Sequence, residues 1–167
     1  MTTRELTVWD WVVLVARLVL GGAFIALGVV KFADPVAFMK GVREYDIFPP
    51  GSTALNWVAA TLPVLEVVLG ACLVLGIALR GAGITVAAML LAFTVAVALR
   101  AIAIHDAQGG SFCAIAFDCG CGTGVEQVCR KLPENVVMIV LALLVVASKA
   151  ARFALAPRLL KSTSAAS

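Results

Sequence analysis

Charge is scarce in this sequence. Only 14% of its 167 residues are Asp, Glu, Lys or Arg, against 62% apolar residues, and the mean hydropathy is +1.06. That balance excludes an ordinary water-soluble domain and points to a membrane protein. Other absences narrow the function. There is no glycine-rich nucleotide loop and no hydrolase nucleophile motif. A net charge of +3 is too mild to make a nucleic-acid surface, so no nucleic-acid partner is expected. The weak alternation that marks a transmembrane β-barrel is missing, and the cysteines lack the paired C-x2-C knuckles typical of zinc. Histidine occurs once, as His105 beside Asp106, where a solvated interfacial imidazole is expected.

What is present is four apolar segments, Trp9 to Phe32, Ala54 to Leu79, Ala82 to Ile104 and Pro133 to Phe153. Each is long enough to cross a hydrocarbon core, which takes about 20 residues of helix. Lipid offers no partner for exposed amides, so these segments are expected to be helices. The first is long, carries Arg17 and ends at Lys31, which fits a retained span better than a cleaved signal. The expected fold is all-α: an integral membrane four-helix bundle in a single domain over residues 1–167, with a cysteine-rich loop between helices 3 and 4 and a short disordered tail after Pro157. A turn at Arg80-Gly81 makes spans two and three a hairpin, and the even count puts both termini on one side.

Lys and Arg near the span ends tie between the two sides, so the positive-inside rule alone does not orient the chain. Lys149, Arg152, Arg158 and Lys161 crowd the last helix end and tail, and a cysteine-rich loop suits an oxidising compartment. The expectation is therefore a cytoplasmic (inner) membrane protein with cytoplasmic termini and the loops outside. In the first long connection, Asp34-Pro35 is an N-cap followed by a first-turn proline. Val36, Met39, Val42 and Tyr45 recur after it at helical spacing, and Pro49-Pro50-Gly51 turns the chain back. This reads as an interfacial helix lidding the bundle, anchored by Phe38 and Phe48. Trp9, Trp11 and Trp57 fall near span ends as an aromatic belt requires, and Arg100 has the position of a snorkelling anchor.

Two ionisable residues fall where lipid should be, Arg17 in the first span and Glu66 in the second. Intramembrane charge marks a functional site by default. Their depths differ by roughly 6 Å at 1.5 Å per residue, which an Arg side chain bridges, so an inter-helix ion pair is expected. A proton relay or a quinone contact is the functional alternative. Pro63 stands one turn before Glu66, where a kink is expected.

Four of the five cysteines, Cys113, Cys119, Cys121 and Cys129, share one polar connection. Cys119-Gly120-Cys121-Gly122 sets two thiols one residue apart with glycine on both sides of Cys121. A disulfide between them would close a very small ring, and strained disulfides are the labile, exchanging ones. Exchange would then run to Cys113 or Cys129 through a mixed disulfide. Structural disulfides that staple the loop are a second account. A four-thiolate metal site, with or without His105, is a third. Four loop cysteines allow three connectivities, and the sequence does not choose among them. Cys72, inside the second span, reads as a small buried apolar residue.

Arg17, Gly21-Gly22, Phe24, Gly28 and Lys31 resemble the opening of the DoxX-like superfamily, especially its MauE (methylamine utilisation) branch. Phe38, Tyr45 and Pro49 resemble the family's first loop, Leu62-Pro63, Glu66 and Gly70 its second helix, and Cys119-Gly120-Cys121 its Cys-Gly-Cys element. Gly122 stands where an aromatic often follows that element, and Cys113 and Cys129 are additional. The resemblance implies a four-helix membrane protein engaged in thiol redox work. In the MauE branch that work is linked to maturation of the disulfide-rich small subunit of methylamine dehydrogenase; another DoxX-like branch contributes a membrane subunit to thiosulfate:quinone oxidoreduction. The implied site is Cys119 and Cys121 as the exchanging pair, with Cys113 and Cys129 as secondary thiols. The implied partners are the lipid bilayer and a thioredoxin-like or exported cysteine-containing protein. Quinone is the one cofactor the setting suggests.

Overall fold

The computed structural model describes residues 8–49, 52–118, 120 and 124–148. Five α-helices dominate: α1 (Val8–Ala33), α2 (Pro35–Glu44), α3 (Thr53–Leu75), α4 (Leu79–Gln108) and α5 (Val128–Ala147). A single 3-10 turn, Phe112–Ala114, and two short strands, β1 (Ala116–Asp118) and β2 (Val125–Gln127), lie between α4 and α5. The strands pair antiparallel with Phe117 opposite Glu126. They correct the expectation of a wholly helical chain. Three-residue strands carry too little alternation to be seen in a sequence.

Among the described residues α1, α3 and α4 are long and apolar enough to cross a membrane. The described part of α5 carries Arg130, Lys131 and Glu134 in its first two turns and does not join them on that measure. The remainder of the fourth expected span and the tail after Pro157 lie outside the described residues. Helix α1 packs on α3 and α5, and α4 packs on α5 and α3. Their shared core includes Leu20 and Phe24 from α1, Leu73 from α3, Val86 and Leu90 from α4, and Ala142 and Val145 from α5. Each of these four helices also exposes apolar side chains outward, including Val15, Val68, Leu91 and Val140.

Several boundaries differ from expectation. The α3–α4 turn falls at Gly76-Ile77-Ala78, and Arg80-Gly81 lies inside the first turn of α4. Gly76 takes φ of 75°, its N–H donates to Leu73 O, and the Ile77 N–H donates to Cys72 O, a Schellman closure that needs glycine at its left-handed position. Helix α4 runs on through His105 and Asp106 to Gln108, and α5 begins at Val128, with Pro133 in its second turn. Helix α3 continues through Pro63.

Helix α2 forms as its sequence requires. The Asp34 carboxylate accepts from the Ala37 N–H at 2.8 Å, and Pro35 occupies the first turn. Its buried face is Phe38, Gly41, Val42 and Tyr45, whereas Val36 is exposed. The inward stripe thus starts two residues later than the apolar spacing suggests. Phe38 and Val42 pack on Leu55 of α3, with Phe48 against the same cluster.

Candidate functional site

Arg17 and Glu66 are both buried, at 1% and 3% exposure, but they do not pair with each other. Arg17 Nε donates to Leu73 O at 3.0 Å, and its Nη2 donates to Val74 O at 3.4 Å. These are carbonyls of the last turn of α3, where a cation also meets the negative end of the helix dipole. Glu66 is paired instead with Lys31 Nζ through Oε1. The expected Arg17–Glu66 pair is overturned for a geometric reason. Helical side chains lean toward their own N-terminus. Because α1 and α3 are antiparallel, Arg17 leans toward the terminal side while Glu66 leans toward the loop side, and the two diverge. Lys31 leans back from the loop end and meets Glu66.

The crossing that sets this register is built on glycine. A Cβ on Gly21 would lie 2.8 Å from Gly70 O, one on Gly70 would lie 2.7 Å from Gly21 O, and one on Gly28 would lie 2.9 Å from Pro63 O. Small residues let membrane helices approach this closely. Lys31 itself is 2% exposed, with its ammonium 5.1 Å from the Phe38 ring centroid and 5.6 Å from that of Phe93. Such positions over aromatic faces are favourable for a cation.

Two cavities meet at Lys31. The inner one, of about 40 Å³, is lined by Lys31, Glu66, Lys131 and Asn135 together with Phe24, Met89, Phe93 and other apolar groups. Lys131 pairs with Glu126 at 3.3 Å and with Glu134 at 3.9 Å. The outer cavity, of about 240 Å³, is lined by Val30, Lys31, Asp34, Ala37, Phe38, Asp118, Gly120 and Gly124. A third pocket, of about 270 Å³, is almost wholly apolar and lies among Val42, Tyr45, Phe48, Leu62, Phe93 and Ala96.

Of the Cys119-Gly120-Cys121-Gly122 stretch only Gly120 is described; Cys119 and Cys121 lie outside the described residues. Gly120 takes φ of 64°, donates its N–H to Asp118 Oδ1 at 2.9 Å, and faces Gly41 of α2 so closely that a Cβ on Gly41 would lie 2.6 Å from the Gly120 Cα. Asp118 N–H in turn donates to Glu44 Oε2 at 3.1 Å. The strand pair is therefore tied to α2 at the mouth of the outer cavity. At its base Cys113 and Cys129 form a disulfide, which joins the 3-10 turn to the start of α5. Two of the four thiols that a four-thiolate site would use are thus bonded to each other. Removing the bond by Cys113→Ala with Cys129→Ala is expected to cost about 3 kcal/mol on the chain-entropy model for a loop of roughly 15 residues. Hydrogen exchange across residues 116–127 reads the result: faster exchange there with α1 and α3 unchanged is expected, and unaltered protection would refute a stapling role.

The remaining candidates fall apart from this cluster. Arg100 reaches Asp46 at 3.9 Å. His105 is half-buried against Phe112, ring centroids 6.0 Å apart, instead of solvated. Cys72 is a free, half-buried cysteine beside the main core. Trp9, Trp11 and Trp57 are exposed near helix ends. Lys31, Lys131 and Asn135 were not singled out by sequence as members of a polar interior. A signal for Lys31 existed: Arg17, Gly21, Phe24, Gly28 and Lys31 follow a strict 4-3-4-3 spacing, which places Lys31 on the same inward face as Arg17.

Residues 9–148 match the family model described as methylamine utilisation protein MauE, and the chain belongs to that family. No curated protein and no solved structure matches it.

Proposed function

From membership of the MauE family, we propose that this protein carries out thiol-disulfide exchange that supports maturation of an exported, cysteine-containing protein. The observation that carries this reading is the seating of Gly120, the central residue of Cys119-Gly120-Cys121, on Gly41 of α2 above a disulfide-stapled base. A rigid support for the residue between two exchanging thiols is what such a pair requires. In the exchange, a partner thiolate attacks one sulfur of a Cys119–Cys121 disulfide and releases the other as a thiolate. The partner's second thiol then resolves the mixed disulfide, so the partner loses two electrons and the pair becomes two thiols. Onward exchange would pass the oxidising equivalents of the Cys113–Cys129 disulfide to the pair through a mixed disulfide, leaving Cys113 and Cys129 as thiols.

The body of the protein in this proposal is a four-helix membrane bundle, with α5 as the fourth span. Support comes from the packing of α5 on α1 and α4 and from its outward Val136, Val137, Val140 and Leu143. The loops face outside the cytoplasm in an inner membrane, since the Cys113–Cys129 disulfide suits an oxidising compartment. Loop-side Lys31, Arg100, Arg130 and Lys131 all stand in ion pairs with carboxylates. Kinship with the wider DoxX-like superfamily belongs to the same proposal. A quinone would serve as terminal two-electron acceptor, with the apolar pocket of Tyr45, Phe48, Leu62 and Phe93 as the candidate place for its ring.

Cys119→Ser and Cys121→Ser test the exchange directly. One variant is expected to accumulate a mixed disulfide with a thioredoxin-like or exported partner, seen on non-reducing gels after acid quenching, and the other to lose it. Partner oxidation at the unaltered rate in both variants would overturn the proposal.

A further inference from the structure

The interior of the helix layer holds more polar machinery than a packing role requires. Glu66 uses one oxygen for Lys31, while its second oxygen, Oε2, is buried without a partner among the described residues. Glu66 lines the inner cavity, where Asn135, itself buried, stands on another wall. The volume of about 40 Å³ suits one water, which needs polar partners to stay there. An ion is a poorer occupant. Lys31 and Glu66 neutralise each other, and Lys131 is matched by Glu126 and Glu134, so the walls carry no surplus charge to hold one. The charged and titratable groups on these walls are Lys31 from α1, Glu66 from α3 and Lys131 from α5; α4 contributes only apolar side chains.

Lys31 also lines the outer cavity, and there it shares the wall with Asp34 and Asp118. The Asp34 N–H still donates to Val30 O, so the helical turn continues and Asp34 stands three residues from Lys31 on a neighbouring position of that turn. Phe38, whose ring the ammonium already approaches, lines the same outer cavity. Lys31 therefore stands between two carboxylates, one deep in the helix layer and one at the loop surface.

We propose that Glu66 is a protonation site inside the helix layer, and that Lys31 changes partner from Glu66 to Asp34 when Glu66 takes up a proton from the loop side. The step is a proton transfer without redox change. A proton from loop-side water passes through the outer cavity and the water held between Glu66 and Asn135, and the carboxylate becomes a neutral acid. The Lys31 ammonium keeps its charge and is balanced by Asp34 instead. On reversal Lys31 returns to Glu66 and the proton leaves by the same path. The site is made of α1, α3 and α5 residues together with Asp34, the N-cap of α2, and does not require the exchanging thiols.

Infrared difference spectroscopy of the full chain in lipid nanodiscs tests this. Stepping from about pH 8 to about pH 5 is expected to raise a protonated-carboxyl band. The band should be missing in Glu66→Gln and should shift when H2O is replaced by D2O. Asn135→Leu, which removes the water's second partner, should slow that shift at least tenfold. Asp34→Asn is the decisive variant, because asparagine caps α2 as well as aspartate does and leaves the fold intact. It is expected to move the midpoint of the band to more acidic pH by about one unit, since the released ammonium loses its second carboxylate. A band that survives Glu66→Gln, no band at either pH, or a midpoint unmoved by Asp34→Asn would overturn the proposal.

Discussion

Lys31→Met is expected to destabilise the protein by about 3 to 5 kcal/mol at neutral pH, the loss typical when one member of a buried ion pair is removed. The cause is the carboxylate left behind. Glu66 is 3% exposed, one of its oxygens has no protein partner among the described residues, and Met cannot replace the ammonium. Such a group escapes by taking a proton, so the variant should regain stability as the pH falls, and by more than the parent over the same range. Glu66→Leu is expected to cost less, because Lys31 retains the ring faces of Phe38 and Phe93 and has Asp34 within its turn. Lys31→Met combined with Glu66→Leu should be close to the parent, since replacing both charges by apolar groups is often neutral or better. Thermal unfolding of the four proteins in one detergent, followed by helical circular dichroism at two pH values, closes the cycle. Equal losses in the two single variants, adding in the double, would mean that the pair is not coupled.

The membrane-spanning character of α1, α3 and α4 was legible because each is a long apolar run, and run length needs no tertiary context. The N-cap at Asp34 was legible for a similar reason: an Asp-Pro pair acts on its own turn. What failed depended on register between elements. Arg17 and Glu66 fall at similar depths, but depth ignores the direction in which each side chain leans, and that direction sends them apart. The boundary near Arg80-Gly81 misled because Gly76 closes α3 first with a complete Schellman pattern. The concentration of cysteine in the last connection was plain from sequence, yet the choice of Cys113 with Cys129 is a fact of three dimensions. It depends on a strand pair whose six paired residues leave no periodic trace.

Gly21→Ala and Gly22→Ala should behave as opposites although the residues are neighbours. At Gly21 an added methyl meets Gly70 O at 2.8 Å, a Val74 methyl at 2.8 Å and Leu73 Cβ at 3.2 Å, whereas at Gly22 nothing lies within 4 Å. Two of the three obstacles at Gly21 are fixed to the α3 backbone, so the helices themselves must separate, and overpacking of this kind costs typically 1 to 3 kcal/mol. Gly22→Ala should be neutral or slightly stabilising, as alanine is the better helix former. Gly70→Leu should be the most damaging of the series, because its Cβ would meet Gly21 O at 2.7 Å and the Ile25 N at 3.0 Å. The consequence reaches the polar interior. Separating α1 from α3 lengthens the reach from Lys31 to Glu66 and from Arg17 to the end of α3 at once, since all four groups are held by that one crossing. Thermal stability of Gly21→Ala, Gly22→Ala and Gly70→Leu in the same detergent is the measurement. Equal effects at Gly21 and Gly22 would show that the crossing is looser than the contact distances imply. Loss at Gly21 and Gly70 alone would establish that the glycine seam, more than apolar burial in general, sets the depth at which the buried charges meet.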